Sequence, residues 1–245
     1  LYWNMGEDRK NLTTSYSKNI FLNKFLNWDI TVAEEYSEST RYPWYGYEFR
    51  SKNSLKTRLG TTFSLDTTVW NHHGPHSGNV FFAGTEVVAD SKAKFTSLDL
   101  SVEGRNYLPI TNRSGLAFRL ASGKSVGPEP TIFLMGGNKA FRGMPFLDVG
   151  GNNYVLASAD LRVPLFDFVA AIPSGPSKYI LWPFMVFVDL QSGVYLDAGN
   201  AWYNKGQAPQ GERESLALDY SAGYFLNIPT AFGLTFRFSQ GVYGE

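Results

Sequence analysis

His72, His73 and His76 are the only histidines in the chain, and they bracket Gly74–Pro75. Imidazoles this close could share a metal ion. The glycine and proline exclude a helical i, i+4 spacing, and no acidic residue adjoins them. The expectation is an exposed turn with no metal site. Glu34 and Glu35 are adjacent, so in a strand they point to opposite faces and make a poor carboxylate pair for acid–base work. Cysteine is absent, which removes thiolate metal sites, thiol nucleophiles and disulfide scaffolds together. No G-x-S-x-G elbow is present. Gly136–Gly137 precedes no helix that could cradle a phosphate. Asn11-Leu12-Thr13 and Asn112-Arg113-Ser114 fit the glycosylation pattern, which is short enough to arise by chance. These residues point to no catalytic group, no cofactor and no enzyme.

The composition narrows the classes further. The chain has 245 residues, with 22 basic and 22 acidic side chains and a formal net charge of zero. A neutral chain has no bulk charge with which to hold a polyanion, so nucleic acid is not an expected partner. Charged residues at 18% are scarce and aromatics at 16% are abundant, which excludes disorder. No apolar run is long enough for a transmembrane helix. The most apolar stretch, Tyr179 to Leu190, is short and contains Pro183. No signal peptide is visible and the chain begins at Leu1, so it reads as a piece of a longer chain.

The positioning elements follow from a period of two. Leu59, Phe63, Leu65 and Val69 alternate with Arg58, Thr62, Ser64, Asp66 and Thr68. Leu98, Leu100 and Val102 alternate with Ser97, Asp99, Ser101, Glu103 and Arg105. Leu116, Phe118 and Leu120 alternate with Ala117, Arg119 and Ala121. Val155 to Leu165 sets Val, Ala and Leu against Ser158, Asp160 and Arg162. Val194, Leu196, Ala198 and Trp202 oppose Tyr195, Asp197, Gly199 and Ala201. Leu216 to Tyr224 and Phe232 to Phe238 repeat the pattern. Trp28 to Tyr36 alternates less strictly, and Gly78 to Asp90 reads as a strand without clear parity. These are roughly nine strands of about nine to twelve residues, long for soluble sheets and suited to a tilted bilayer crossing.

Parity alone does not say which face is wet. The charged residues of the clean strands all share the polar parity, however, and a lipid face excludes charge at about 2–4 kcal/mol for a midplane arginine or lysine. Aromatics gather near strand ends, at Tyr42, Trp44, Tyr45, Tyr47, Trp70, Trp202 and Tyr203, as rings do at a membrane interface. An antiparallel transmembrane β-barrel is therefore favoured over a soluble all-β sandwich or barrel.

Three segments carry a family resemblance. Gly136-Gly137-Asn138-Lys139-Ala140-Phe141-Arg142-Gly143-Met144 resembles the "GG…RG(F/Y)" signature of the bacterial surface-antigen barrels, the superfamily of BamA, TamA and the two-partner secretion transporters. Asp160-Leu161-Arg162-Val163-Pro164 resembles its "E-x-R-x-P" strand, with aspartate for glutamate. Tyr195-Leu196-Asp197-Ala198-Gly199-Asn200-Ala201-Trp202 resembles its "F-x-D-x-G-x-x-W" strand. The order matches, and the resemblance covers roughly Gly78 to Phe238. It implies a bacterial outer-membrane barrel domain over residues 1–245, part of a barrel of about sixteen strands with some absent from this chain.

The resemblance also implies a loop, about residues 123–150, that folds into the lumen. Its motif residues are Gly136, Gly137, Arg142, Gly143 and Met144, the methionine standing where the family has an aromatic. The implied wall partners are Asp160, Arg162, Asp197 and Gly199, with Arg142 paired to both aspartates. A guanidinium can serve two carboxylates through its fixed fork, which lysine cannot reproduce. The implied function is insertion, assembly or translocation of outer-membrane or secreted proteins. The implied partners are outer-membrane lipid, client β-barrel or secreted proteins and accessory assembly proteins. A membrane anchor or translocator for an attached propeller or lipase is the alternative. A soluble carbohydrate-binding β-protein is a second alternative.

Overall fold

The structure is a computed structural model that describes residues 11–21, 24–37, 54–71, 74–90, 94–137, 141–144, 149–167, 189–209, 212–229 and 235–244. Among these residues there is no helix. The strands are β1 (Asn11–Phe21), β2 (Leu26–Ser37), β3 (Ser54–Asp66), β4 (Val69–Asn71), β5 (Gly74–Asp90), β6 (Phe95–Pro109), β7 (Gly115–Val126), β8 (Phe133–Met135), β9 (Val149–Gly151), β10 (Asn153–Asp167), β11 (Asp189–Trp202), β12 (Asp219–Pro229) and β13 (Thr235–Gly244). Hydrogen bonding orders them β1-β2-β3-β5-β6-β7-β10-β11-β12-β13, with β4 on β5 and a separate β8–β9 pair. The pairs β1–β2, β10–β11, β11–β12 and β12–β13 are antiparallel.

The alternation sorts the faces as the sequence dictates. Leu59, Phe63, Leu100, Val102, Phe118, Leu120, Val163, Leu165, Val194, Leu196 and Phe238 are exposed. Ser97, Asp160, Asp197, Asp219 and Ser221 are buried. Apolar side chains point out and polar ones point in, the inverse of a soluble barrel and the pattern of a membrane barrel. Strands of 13 to 17 residues, such as β3, β5, β6, β10 and β11, exceed what a crossing needs, about nine to eleven residues.

Two compact units divide the contacts: residues 1–64, 82–102 and 123–131, and residues 65–81, 103–122 and 132–245. In the first, Arg58 binds Glu86 at 2.6 Å. There Asp99 also accepts hydrogen bonds from Ser125 and Thr131 at 2.5 and 2.6 Å. In the second, Ala121, Met135, Phe141, Met144, Leu156 and Ala201 form an apolar cluster. Glu103 of the same unit takes Arg119 at 2.9 Å and also contacts Arg105.

Several expectations change. β1 carries no clear alternation and was not read as a strand; its register with β2 is continuous from Asn11↔Ser37 to Phe21↔Asn27. The strand expected through Val69 breaks after Asp66, whose carboxylate takes the Thr68 N–H at 2.8 Å. β7 runs on to Val126, so the long connection starts at 127 rather than 123, and it contains the β8–β9 pair. The Leu216–Tyr224 strand starts only at Asp219, because Asn200 Nδ2 takes the Ala217 carbonyl at 2.6 Å and holds that segment off the ladder. Pro164 lies where β10 shifts register, as a residue without an N–H dictates.

The expected histidine turn becomes a hairpin, with Asn71 opposite Gly74 and His76 inside β5. His72 and His73 lie outside the described residues. So do Tyr42, Trp44, Tyr45, Tyr47, Phe232, Leu234 and most of Tyr179 to Leu190. Trp70 is exposed, but Tyr203 is buried and is no surface ring.

Candidate functional site

The candidate site is built on β10 to β13. Antiparallel register aligns Asp160, Tyr195, Gly223 and Gly241 in one row across the four strands. Two residues along, Ser158, Asp197, Ser221 and Tyr243 form the next row on the same face. Arg142 lies on these rows, in a segment that runs from Gly137 to Met144. That segment is closed on itself by a bridge between Gly137 and Phe141 and by the Gly137 N–H donating to the Met144 carbonyl at 3.1 Å.

Arg142 occupies the centre. Its Nε donates to Asp197 Oδ2 at 2.8 Å, and its Nη2 donates to Asp197 Oδ1. Its backbone N–H also reaches Asp197 Oδ2, at 3.0 Å. Nη1 lies 2.6 Å from Asp160 Oδ1. The guanidinium carbon sits 4.1 Å from the centre of the Tyr195 ring, within cation–π range. Ser221 Oγ donates to the Arg142 carbonyl. Arg142 is 5% exposed, Asp160 7% and Asp197 0%.

Burial by itself would lower the pKa of the Arg142 guanidinium. The hydrogen bond to Asp197 and the charges of both aspartates reverse this and raise it. The group is therefore a fixed cation between fixed acceptors. Charge-assisted bidentate pairs of this kind are among the stronger hydrogen bonds. Their net contribution to stability is small against desolvation, but removing one partner costs about 3–5 kcal/mol.

The other motif residues have distinct places. Gly136 and Gly137 have positive φ, 121° and 80°. Gly143 has φ 83°, and a Cβ there would lie 3.1 Å from Ser221 Cβ, so both backbone and space require glycine. Met144 is buried in the apolar cluster with Phe141. Phe141 meets Tyr243 edge to face at 6.3 Å. Arg162 is peripheral: its Nη2 is 3.5 Å from Asp160 Oδ2, and its guanidinium lies over Tyr107 at 5.5 Å. At Gly199 a Cβ would meet the Val155 carbonyl at 2.3 Å, so glycine there permits close strand approach.

The sequence reading missed Tyr195, Ser221 and Tyr243. Tyr195 had a signal, being two residues from Asp197 on the same parity. Its ring extends over the neighbouring strands, and a Cβ on Gly223 or Gly241 would fall 2.8 or 2.2 Å from its hydroxyl. Asn200 and Asp219 were missed as well. Asn200 Nδ2 donates to Asp219 Oδ2 at 2.6 Å, and Arg213 Nη1 contacts both Asp219 oxygens at 2.9 and 3.1 Å. Among the described residues no cluster could hold a metal ion.

Residues 2–242 match the Omp85 superfamily domain. No curated protein matches the chain. Among solved structures, the crystal structure of BamA from Haemophilus ducreyi lacking POTRA domains 1–3 is similar, with a TM-score of 0.67 at 13% identity. The similarity covers 97% of this chain and 52% of that one, so the chain spans about half the length of that protein. At such identity the likeness is one of fold: an all-β antiparallel sheet of the BamA barrel kind. The chain belongs to the Omp85 superfamily and is an antiparallel β-barrel domain of the bacterial outer membrane.

Proposed function

We propose that this barrel inserts or translocates other proteins at the outer membrane, and that the Arg142 contact is the clasp that keeps its loop in place. The observation that carries the reading is the buried fork of Arg142 on Asp197 and Asp160. Residues 127–152 then form the lumen loop, and Gly136 to Met144 are its anchoring motif. The clasp ties the loop to β10, β11 and β12 directly, and to β13 through Phe141 and Tyr243. A set of strands held together in this way resists deformation. Opening of the barrel is thereby confined to other strands, where unpaired backbone can template an incoming strand by β-augmentation.

The clients are β-barrel or secreted proteins, and the medium is outer-membrane lipid. No bond is made or broken in this scheme. Reconstitution of the full-length protein into liposomes tests it. Folding of an unfolded β-barrel client, read by heat-modifiable migration on gels, should be faster than in empty liposomes. Arg142→Ala should remove most of that gain. No acceleration by the wild-type protein would leave an anchor or translocator for an attached soluble domain as the better reading.

A further inference from the structure

The exposed face of the second unit is not smooth. Small residues, Gly104 on β6, Ala157 and Ala159 on β10 and Ala198 on β11, line a groove of about 570 Å³. Phe118 and Leu196 also line it, and both are exposed side chains of the apolar parity. Its size falls in the range of ligand pockets, about 300–1,000 Å³. A Cβ built on Gly104 meets nothing within 4 Å, so the space there is open. The polar lining includes Asn79 and Asn106, with Asn106 Nδ2 donating to Asn79 Oδ1 at 2.6 Å. Asn106 shares the outward parity of Leu100 and Val102, and Asn79 lies beside the exposed Phe81.

We propose that this groove seats one acyl chain of a glycerophospholipid, with the Asn79–Asn106 amides at its ester end. The groove is continuous with the lipid-facing band of an outer-membrane barrel, so in the membrane its occupant is lipid. A chain in a concave seat touches protein atoms on several sides, and small lining residues let it approach closely. Each amide carries two donors and an acceptor oxygen, so the pair has capacity beyond its mutual bond for an ester carbonyl. Arg105 and Arg119 also line the groove, but their guanidinium groups are engaged with Glu103 on the polar parity. The polar end therefore suits a neutral ester better than a phosphate-rich glycolipid.

The inference rests on the outer-membrane location and not on the insertion role. Native mass spectrometry on the full-length protein tests it, after extraction from bilayers holding both phosphatidylethanolamine and lipopolysaccharide. Wild-type protein should retain phosphatidylethanolamine. Filling the groove with Gly104→Leu and Ala159→Leu should lower retention about tenfold, which corresponds to about 1.4 kcal/mol. Val194→Leu, on the same face but outside the groove, should leave it unchanged. Ala198→Leu alone serves if the double variant fails to fold, judged by heat-modifiable migration. Retention of lipopolysaccharide instead, no retained lipid, or equal retention in the filled and control variants would overturn the proposal. Loss of client insertion with lipid retention intact would bear on the proposed function alone.

Discussion

At the scale of the residue, the site is one buried cation shared by two buried carboxylates. Asp197 carries the larger share, because it accepts from the Arg142 backbone as well as from two guanidinium nitrogens. Arg142→Ala strands two buried carboxylates, and the unfolding free energy should fall by about 3–5 kcal/mol. Arg142→Lys keeps the charge but loses the fork, and should cost an intermediate amount, about 1.5–3 kcal/mol. Urea unfolding of the purified barrel, followed by tryptophan fluorescence, reads both. No loss for Arg142→Lys would mean that the fork adds nothing to the charge. Both aspartates were legible in the sequence, since parity put them on the polar face and the motifs paired them with Arg142. Tyr195 carried only the signal of its parity and Ser221 none, because a sequence carries no cross-strand register. That register brings Ser221 opposite Asp197 and lays Tyr195 beside Gly223. Gly223 and Gly241 make room for the Tyr195 ring.

At the scale of the element, alternation was a faithful guide wherever both faces were sharply distinct. β10 and β11 are the clearest cases: Leu196 is 55% exposed and Asp197 next to it is fully buried. Leu196→Arg should destabilise the barrel by about 2–4 kcal/mol through the lipid face alone. Leu196→Phe should change it by less than about 0.5 kcal/mol. Unfolding from detergent-free bilayers measures the difference, and equal tolerance of both would mean that this face is not in lipid. Alternation failed where pairing rather than burial sets the structure. β1 is mostly polar and is held in register by its partner β2. β8 and β9 are three residues each, too short for any period to register. Leu216 and Leu218 continue the β12 alternation in sequence. The ladder nevertheless starts only at Asp219, and the Ala217 carbonyl before it accepts from the Asn200 side chain instead.

At the scale of the whole molecule, zero net charge is a property of the polar face as much as of the composition. Its described ion pairs set arginine or lysine against aspartate or glutamate in close contact, from Arg58–Glu86 to Arg142–Asp197. An interior that neutralises itself can be enclosed without importing counter-ions. The fold class and the family were legible because two motifs fell on strands of known parity and a third on the connection before them. How a loop could be fixed to four strands was not, because that depends on packing among residues far apart in the chain. Loop and strands are one mechanical body only if Arg142 and Asp197 act together on the stability of the entire barrel. A double-mutant cycle on global unfolding of the full-length protein, with Arg142→Ala, Asp197→Ala and both, measures this directly. A coupling free energy of about 2–3 kcal/mol is expected for a shared buried pair. Additivity within about 0.5 kcal/mol would contradict the clasp.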